Sequence, residues 1–404
     1  MKTRVSASAL PRGFAFSAAA CGLKKSGLDL GLIVSEIPAS AACVFTTNLV
    51  KAAPVLVSQR HLRRSAAKMR AIIVNSGNAN CVTGPAGVVA SKQTAAALAR
   101  ALGCRTEQIL VCSTGVIGLP LRVERILRAI PILRTERGAA RGAFEKFTRA
   151  IMTTDTRPKW AAANCTIAGR RVRLLGCAKG AGMIQPNMAT MLAFIVTDAT
   201  TSPNVLHRAL RGAIAKTFNA ITVDGDMSTN DTVALLANGA SGTRSIHKKG
   251  SADYRKFLAA LESVCQALAL QIVADGEGAQ RIVEIEVRGA ASDRAADAIA
   301  RTIANSPLVK TALAGGDPNW GRILAAAGRA GVRFDPDRTE IRMAAIPMCR
   351  AGRARPFDEK TAHRNLLAKH VPILVDLHAG KGSARIWTCD FTGDYVRINA
   401  SYRS

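Results

Sequence analysis

The middle of this 404-residue chain reads Lys179-Gly-Ala-Gly-Met-Ile-Gln-Pro-Asn-Met-Ala-Thr190-Met-Leu-Ala-Phe-Ile-Val-Thr-Asp198. Its first half contains two Gly and a Pro, which is typical of a loop. Its second half is an apolar run from Met191 to Val196, which predicts a buried strand. Thr190 therefore stands where an exposed loop enters a rigid strand. Such a position suits a hydroxyl that attacks the peptide bond before it.

Cleavage of the Ala189–Thr190 bond would give Thr190 a free α-amine. A threonine hydroxyl is a poor nucleophile, and an α-amine beside it can serve as its base. Such an amine titrates near about pH 7.7 to 8.0, so it can accept a proton at working pH. On the pattern alone, a Thr that opens a strand is more often an ordinary strand residue. Both interpretations stay open at this point.

Outward from this stretch, apolar β-branched runs alternate with Ala-rich helical patterns, which predicts an α/β protein. The predicted strands are Leu30 to Val34, Ala71 to Val74, Ile109 to Cys112, Met191 to Val196 and Ile282 to Val287. The predicted helices are Val88 to Leu102, Pro203 to Phe218, Ser251 to Leu270 and Ser292 to Ile303. The polar, Gly-bearing loops between them hold most of the unusual residue combinations, and several are expected to converge on one site.

The composition excludes several classes of protein. The chain is too long for one small domain, and 48% hydrophobic residues argue against disorder. A net charge of +28 is typical of proteins that bind nucleic acids. However, the basic residues are scattered and aromatics are only 4%, so the charge is interpreted as solvated surface with no specific nucleic-acid partner.

Cysteine spacing and apolar runs bear on the compartment. The ten cysteines form no C-x-x-C pair and no zinc-spaced cluster, so they are expected to be reduced core thiols, with no metal bound. The start, Met1 to Arg4, weakly resembles a signal peptide, but Arg12 interrupts its apolar segment. No apolar run reaches the roughly 18 residues that a membrane span needs. A cytoplasmic enzyme without membrane contact is expected.

Common catalytic signatures are missing from the sequence, including the Walker A loop, G-x-G-x-x-G, G-x-S-x-G and H-E-x-x-H. Asp224-Gly225-Asp226 with Asn230-Asp231 could suggest a cation loop, but the spacing is not that of an EF-hand. A structural turn is the preferred interpretation.

The run from Lys179 to Asp198 resembles the cleavage-site signature of the ornithine acetyltransferases, the bifunctional glutamate N-acetyltransferase family of arginine biosynthesis. The similarity extends over nearly the whole chain, including its first 25 residues. It is carried by Gly13-Phe14, Gly22 to Gly27, Val44 to Asn48, Lys51 to Pro54, Asn75 to Asn80, Thr222 to Asp226, Asp317 to Arg322 and Cys389 to Tyr395.

The resemblance implies roles for particular residues. Thr190 is the nucleophile and the cleavage point, and Thr114 with Gly115 forms the oxyanion hole. The implied substrate contacts are Thr153, Lys179, Thr190, Glu277, Asn399 and Ser404. Taken singly, each has an ordinary alternative: Thr-Gly after a strand is a common turn, Lys179 and Glu277 could be solvated loop charges, and Thr153 a cap. The choice of Thr153 over Thr154 is the least determined.

The resemblance also implies a four-layer α/β/β/α sandwich of the N-terminal-nucleophile type. Residues 1–189 form the α chain and residues 190–404 the β chain, interwoven in one fold, and two of each assemble into a heterotetramer. The implied reaction moves an acetyl group from N2-acetyl-L-ornithine to L-glutamate through acetyl-Thr190, without cofactor or metal. Members of the family differ in whether they also take acetyl groups from acetyl-CoA, and no residue here distinguishes the two kinds.

Two rival functions remain. An N-terminal-nucleophile aminopeptidase would use the same cleavage but hydrolyse peptides, without the contacts of Glu277 and the C-terminus, and an assay with acetylornithine separates the two. A non-enzymatic basic binding protein would tolerate loss of Thr190.

Overall fold

The computed structural model describes residues 9–185, 191–247 and 249–401, which form two β-sheets with helices packed against them. The strands of the first sheet are β1 (Phe14–Ala19), β2 (Leu30–Phe45), β3 (Lys68–Asn75), β4 (Ile109–Ser113), β5 (Lys159–Ile167), β6 (Arg170–Lys179), β7 (Leu192–Thr197) and β8 (Thr232–Ala237). Their order is β4-β3-β2-β8-β7-β6-β5, and β1 pairs with the long β2. The predicted α/β class is confirmed.

The second sheet follows in the sequence. Its strands are β9 (Ile282–Ala290), β10 (Glu340–Met343), β11 (Ile346–Arg350), β12 (Arg353–Ala354), β13 (His370–Asp376) and β14 (Gly382–Cys389). They are ordered β12-β11-β10-β13-β9-β14. On β9, apolar residues alternate with charged ones, so one face is buried and the other carries ion pairs such as Glu286 with Arg385.

Eleven helices lie within the described residues. They are α1 (Ala53–Arg64), α2 (Gly84–Leu102), α3 (Val123–Thr135), α4 (Arg141–Ala150), α5 (Pro203–Lys216), α6 (Ala252–Val273), α7 (Asp293–Ala304), α8 (Pro307–Gly315), α9 (Trp320–Gly328), α10 (Glu359–Leu366) and α11 (Gly393–Ser401). Ser202, Ser251 and Ser292 accept backbone N–H groups at the starts of α5, α6 and α7, which explains why these helices begin there. All the predicted helices and strands exist, most with longer bounds.

The core is built on both faces of the first sheet. On one face α5 and α6 cover β6, β7 and β8, for example through Leu210, Leu268 and Ile195. On the other face α4 packs Phe144 and Phe147 against β1 and β7. Alternate residues of β3, such as Ile72 and Ile73, belong to different cores, so α2 and α3 pack against β2, β3 and β4 on the face opposite to α4. The second sheet buries its apolar face against α7 and α9. Trp387 contacts both cores and so joins the two sheets.

One described helix, α6, is long and apolar enough to cross a membrane by composition, with a mean hydropathy of 1.4. Half of that stretch is buried in the protein, and Leu261, Cys265 and Leu268 lie in the core beside the first sheet. A core helix accounts for its composition.

The first sheet combines strands from both sides of residue 190. β7 pairs with β6 through Lys179 and Leu192, and β8 pairs with β2 through Thr232 and Phe45. As a result Met191 before β7, Lys179 at the end of β6 and Asp231 before β8 meet at one edge of the sheet, together with Thr114 after β4.

Candidate active site

A pocket of about 100 Å³ opens at this edge of the first sheet. Residues from six polar loops line it. They are Ala79, Thr114, Gly115, Ile117, Thr153, Thr154, Lys179, Gly182, Met183, Met191, Leu192, Ser228, Asn230, Asp231, Glu277 and Asn399. The loop from Gly315 to Arg322 is not among them; its Asn319 caps the start of α9 instead.

The turn after β4 places Thr114 and Gly115 on the pocket wall. Gly115 has φ of +129°, and a Cβ there would lie 2.4 Å from the carbonyl carbon of Gly77 and 2.6 Å from the amide nitrogen of Asn78. Only glycine fits this close approach of two backbones. The Thr114 N–H is already bonded to the Asn75 oxygen at 3.0 Å, so the Gly115 N–H and the Thr114 hydroxyl are the donors that this turn can offer a substrate.

A buried amide holds that turn in place. Asn230 donates to the carbonyl oxygens of Ser113, at 2.8 Å, and Ala79, at 2.6 Å. Ser113 in turn donates its hydroxyl to Asn75 at 2.6 Å. The turn that carries Thr114 and Gly115 is therefore fixed by side chains of β3 and of the segment before β8.

Lys179, at the end of β6, extends its ammonium towards Thr114 and donates to its hydroxyl oxygen at 3.1 Å. Burial lowers the pKa of Lys179, and the nearby Asp155, Asp231 and Glu277 oppose that effect. Because the ammonium occupies the Thr114 oxygen as a donor, the hydroxyl keeps its own proton free to donate elsewhere.

Glu277 lies on the opposite wall, 7% exposed. It accepts a hydrogen bond from Asn399 of α11 at 2.8 Å, and no cation lies within 4.0 Å of it among the described residues. A Cβ at Gly182 would lie 2.4 Å from its carboxylate oxygen, so this glycine allows Glu277 to reach the pocket. A buried carboxylate of this kind suits an ammonium group of a substrate.

A buried ion network below the pocket links three of its loops. The ammonium of Lys159, in β5, contacts Asp155 at 2.6 Å and also contacts Asp275, and all three side chains are almost inaccessible to solvent. Asp155 accepts the N–H groups of Gly180, at 2.7 Å, and Thr153, at 3.0 Å. Asp275 accepts both the N–H and the hydroxyl of Thr156. The network therefore ties together the loops that carry Thr153, Lys179 and Glu277.

These contacts set the charge of the network. Burial raises the pKa of Asp155, but Lys159, Lys179 and the Gly180 N–H together outweigh burial and hold it below its ordinary value. Lys159 was missed by sequence reasoning because it stands in a strand of mixed polarity. Its spacing of four residues from Asp155 was the sequence feature that could have indicated an ion pair between the two.

Asp231, at the start of β8, was also missed as a functional residue. Its side chain is buried, and its Oδ2 atom has no hydrogen-bond partner among the described residues. Burial raises its pKa well above the ordinary value, although Ser228, Lys179 and the Met191 N–H act in the opposite direction. The carboxyl therefore keeps its proton to a higher pH than an exposed aspartate does.

Asp224 has structural contacts within the loop for which the sequence favours a structural turn. It accepts the N–H groups of Met183, at 2.6 Å, and Ile184, at 2.8 Å, and so fixes the start of the loop that leads towards residue 190. Burial raises its pKa. No group of His, Cys, Asp and Glu side chains that could hold a metal occurs in the described ranges.

Of the predicted site residues, Thr114, Gly115, Thr153, Lys179, Glu277 and Asn399 all line this one pocket. Thr154 lines the pocket as well, so lining the pocket does not distinguish Thr153 from Thr154 as a substrate contact. Ala189, Thr190 and Ser404 lie outside the described residues. Met191 and Leu192, which follow Thr190 in the chain, are part of the pocket wall.

Comparison with known proteins identifies the family. A family model described as "ArgJ family" matches residues 15–404. The arginine biosynthesis bifunctional protein ArgJ of Geobacter sulfurreducens is 48% identical over 395 residues, which are 97% of this chain and 99% of that protein.

Two solved structures are also similar. The crystal structure of arginine biosynthesis bifunctional protein ArgJ from Bacillus halodurans is 43% identical, with a TM-score of 0.51, and covers 53% of this chain and 100% of that one. A structure of ornithine acetyltransferase complexed with ornithine, from Mycobacterium tuberculosis, is 37% identical with a TM-score of 0.39, over 44% of this chain and 94% of that one.

The family match and the relatives' names confirm the predicted family and, with it, an enzyme that transfers acetyl groups in arginine biosynthesis. With a matched family model over residues 15–404, this chain belongs to the ArgJ family.

Proposed function

We propose that Thr190 carries the acetyl group from N2-acetyl-L-ornithine to L-glutamate, after the chain has cleaved itself between Ala189 and Thr190. The observation that supports this most directly is the pocket wall itself. It combines the donors of Thr114 and Gly115 with Lys179 and Glu277, directly beside Met191. Donors, a cation and a carboxylate around one small cavity suit a zwitterionic amino acid that bears an acyl group.

In the first half-reaction the Thr190 oxygen attacks the acetyl carbonyl carbon, and the α-amine of Thr190 takes the hydroxyl proton. The Thr114 hydroxyl and the Gly115 N–H stabilise the oxyanion of the tetrahedral intermediate. When that intermediate collapses, the carbon–nitrogen bond breaks and the ornithine nitrogen leaves with the proton. Acetyl-Thr190 and free ornithine are the products of this step.

In the second half-reaction the amine of glutamate attacks the same acetyl carbon. The ester bond to Thr190 breaks, and its oxygen regains a proton through the α-amine. Glu277 suits the free side-chain ammonium of N2-acetyl-L-ornithine in the first half-reaction, and Lys179 suits a carboxylate. Thr153, Asn399 and Ser404 complete the proposed contacts, and the chemistry requires no cofactor.

We also propose that the two fragments stay together as α and β chains of residues 1–189 and 190–404. Strands on both sides of residue 190 pair within the first sheet, as β6 does with β7 and β2 with β8, so cleavage leaves this ladder intact. Two of each fragment would form the heterotetramer. The described cysteines are all free thiols, in accord with a cytoplasmic location.

The decisive experiment is a denaturing gel of the purified protein with N-terminal sequencing of the smaller pieces. We expect two fragments, the second beginning Thr190-Met191-Leu192, and an active preparation. Thr190→Ala should give one intact chain that does not transfer acetyl groups. Two fragments from Thr190→Ala would contradict self-cleavage by this residue.

We propose that acetylornithine is the better donor by at least about tenfold in kcat/KM over acetyl-CoA, because a pocket of about 100 Å³ favours contacts with a small zwitterion. Measurement of kcat/KM for both donors with glutamate as acceptor tests this. Equal values, or a preference for acetyl-CoA, would show that the substrate contacts are assigned wrongly.

A further inference from the structure

A second cavity, of about 640 Å³, lies on the other side of the wall that carries Glu277. The wall is the loop from Asp275 to Gly278 together with α11. Glu277 and Asn399 face the active-site pocket, whereas Gly278 and Arg397 line the second cavity. We call this second cavity the basic groove, after the four cationic side chains that line it: Arg157, Arg281, Lys369 and Arg397.

Arg281 is the unusual member, because it is a guanidinium that is only 8% exposed and is not fully used. All the side-chain hydrogen bonds recorded for it come from Nη1, to Asp390 at 2.8 Å, to the Ala314 oxygen at 3.3 Å and to Gln280 at 3.5 Å. Its Nε is inaccessible and has no partner among the described residues, and Nη2 donates to no described acceptor. Nη2 is therefore the guanidinium nitrogen that remains available to an anion in the groove.

The remaining charges of the groove are unevenly balanced. Four cations line it, against two carboxylates, Asp275 and Asp394. Asp275 is shared between Lys159 and Arg157, and Asp394 is paired with Arg397 at 2.7 Å. Asp390 neutralises Arg281, and Lys159 adds one more positive charge behind Asp275. Lys159 is also paired with Asp155 at 2.6 Å, so five cations stand against four carboxylates and leave an excess of one positive charge around the groove.

We propose that the basic groove binds a phosphate-bearing ligand. Four cationic side chains around one cavity favour a ligand with several anionic oxygens, as a phosphate has, and the volume exceeds what one carboxylate fills. Guanidinium groups and a flexible ammonium are the side-chain groups that recognise phosphate oxygens. The Nη2 group of Arg281 supplies the buried contact, while Lys369 and Arg157 supply exposed ones.

Two sources share this chemistry. One is the phosphate part of acetyl-CoA, which would enter the groove while its acetyl end reaches the neighbouring pocket, and this source rests on the proposed function. The other is a free phosphate compound that acts on the wall carrying Glu277. Binding to the groove itself depends on neither Thr190 nor acetyl transfer.

The test uses inorganic diphosphate as the probe and the complete protein, with binding measured by calorimetry and by the thermal midpoint. We expect diphosphate to bind and to raise Tm. Lys369→Glu and Arg157→Glu should each weaken Kd at least tenfold. The matched control is Lys92→Glu, the same charge change at an exposed position of α2, which should bind like the wild type. Arg281 itself is left intact, since its removal would leave Asp390 buried without its cation.

The absence of diphosphate binding to the wild-type protein, or an equal loss in Lys92→Glu, would overturn the proposal. Given binding, the source is decided by the ratio of kcat/KM for acetyl-CoA to that for acetylornithine. A fall of at least tenfold in this ratio for Lys369→Glu, with competition between diphosphate and acetyl-CoA, assigns the groove to the coenzyme. An unchanged ratio assigns it to a free phosphate compound. A protein that binds diphosphate but transfers no acetyl group would count against the proposed function alone.

Discussion

The ammonium of Lys179 donates to the hydroxyl oxygen of Thr114 across 3.1 Å, and this contact joins the end of β6 to the turn after β4. It occupies the oxygen from one side and leaves the hydroxyl proton available as a donor. If Thr114 stabilises an oxyanion, Lys179 is what orients it. The two residues should therefore act as one unit in catalysis.

Thr114→Ala should lower kcat by roughly 10- to 1000-fold, the range for loss of one oxyanion donor, while acetylornithine still binds. Thr114→Ser keeps the hydroxyl and should retain most of the activity. Lys179→Met should also lower kcat, and the double variant should be little worse than Thr114→Ala alone. Initial rates give the losses in this double-mutant cycle. Additive losses would show that Thr114 and Lys179 act independently in catalysis.

The same contact predicts a pH dependence. Burial lowers the pKa of Lys179, so its ammonium loses its proton at a lower pH than an ordinary lysine does. Above that pKa the amine can accept the Thr114 proton and withdraw it from the pocket. The kcat profile should therefore fall on its alkaline side, and Thr114→Ala should lack that fall. If kcat fell in the same way at alkaline pH in the wild type and in Thr114→Ala, the fall would not arise from the contact between Lys179 and Thr114.

Gly115→Ala tests the close approach of the oxyanion turn to Gly77 and Asn78. Gly118→Ala is the control, because Gly118 also has positive φ, +80°, but a Cβ there meets nothing within 4 Å. Backbone strain is common to both changes, whereas the clash is specific to Gly115. We expect Gly115→Ala to lower the free energy of unfolding by at least about 1 kcal/mol more than Gly118→Ala, and to reduce kcat. Equal stabilities in denaturant titration would mean that the turn adapts.

Sequence reasoning found the loops of this site but not the charges beneath them. Thr114, Lys179 and Glu277 stand in polar, Gly-bearing loops, where unusual residues are visible against the scaffold. Lys159 and Asp231 stand inside or beside strands, and only the packing of the folded chain shows that they are buried. The strand β6 was not predicted for a related reason, because Arg170, Arg171 and Arg173 interrupt its apolar pattern. Arg173 is in fact paired with the buried Asp198 at 3.2 Å.

Lys159→Met should destabilise the protein strongly, because it removes the buried cation that Asp155 and Asp275 share, at a cost of about 3–5 kcal/mol. Combining it with Asp275→Asn removes one of the two buried negative charges and should recover part of the loss. Lys216→Met is the contrasting change, since Lys216 is 75% exposed and its pair with Glu262, at 3.6 Å, should contribute little. Thermal midpoints of the three variants decide the matter. If Tm fell no further in Lys159→Met than in Lys216→Met, the buried ion network would not stabilise the fold.

Asp231 predicts a stability effect whose size depends on pH. Burial raises its pKa in the folded protein, so the folded state holds a proton that the unfolded chain has already released. The stabilisation linked to that proton is complete below the pKa of Asp231 in the unfolded chain, about 3.9. It is lost as the pH rises through the pKa of Asp231 in the folded protein. Asn cannot ionise, and it keeps a side-chain oxygen that can accept the Met191 N–H. Asp231→Asn should therefore raise Tm relative to the wild type, and by more at pH 9 than at pH 5. The control is Asp337→Asn, the same change on an exposed residue, which should leave Tm unchanged at both pH values. The opposite order of the two pH values would mean that Asp231 is held as a carboxylate, and that the Lys179 charge outweighs the burial of this group.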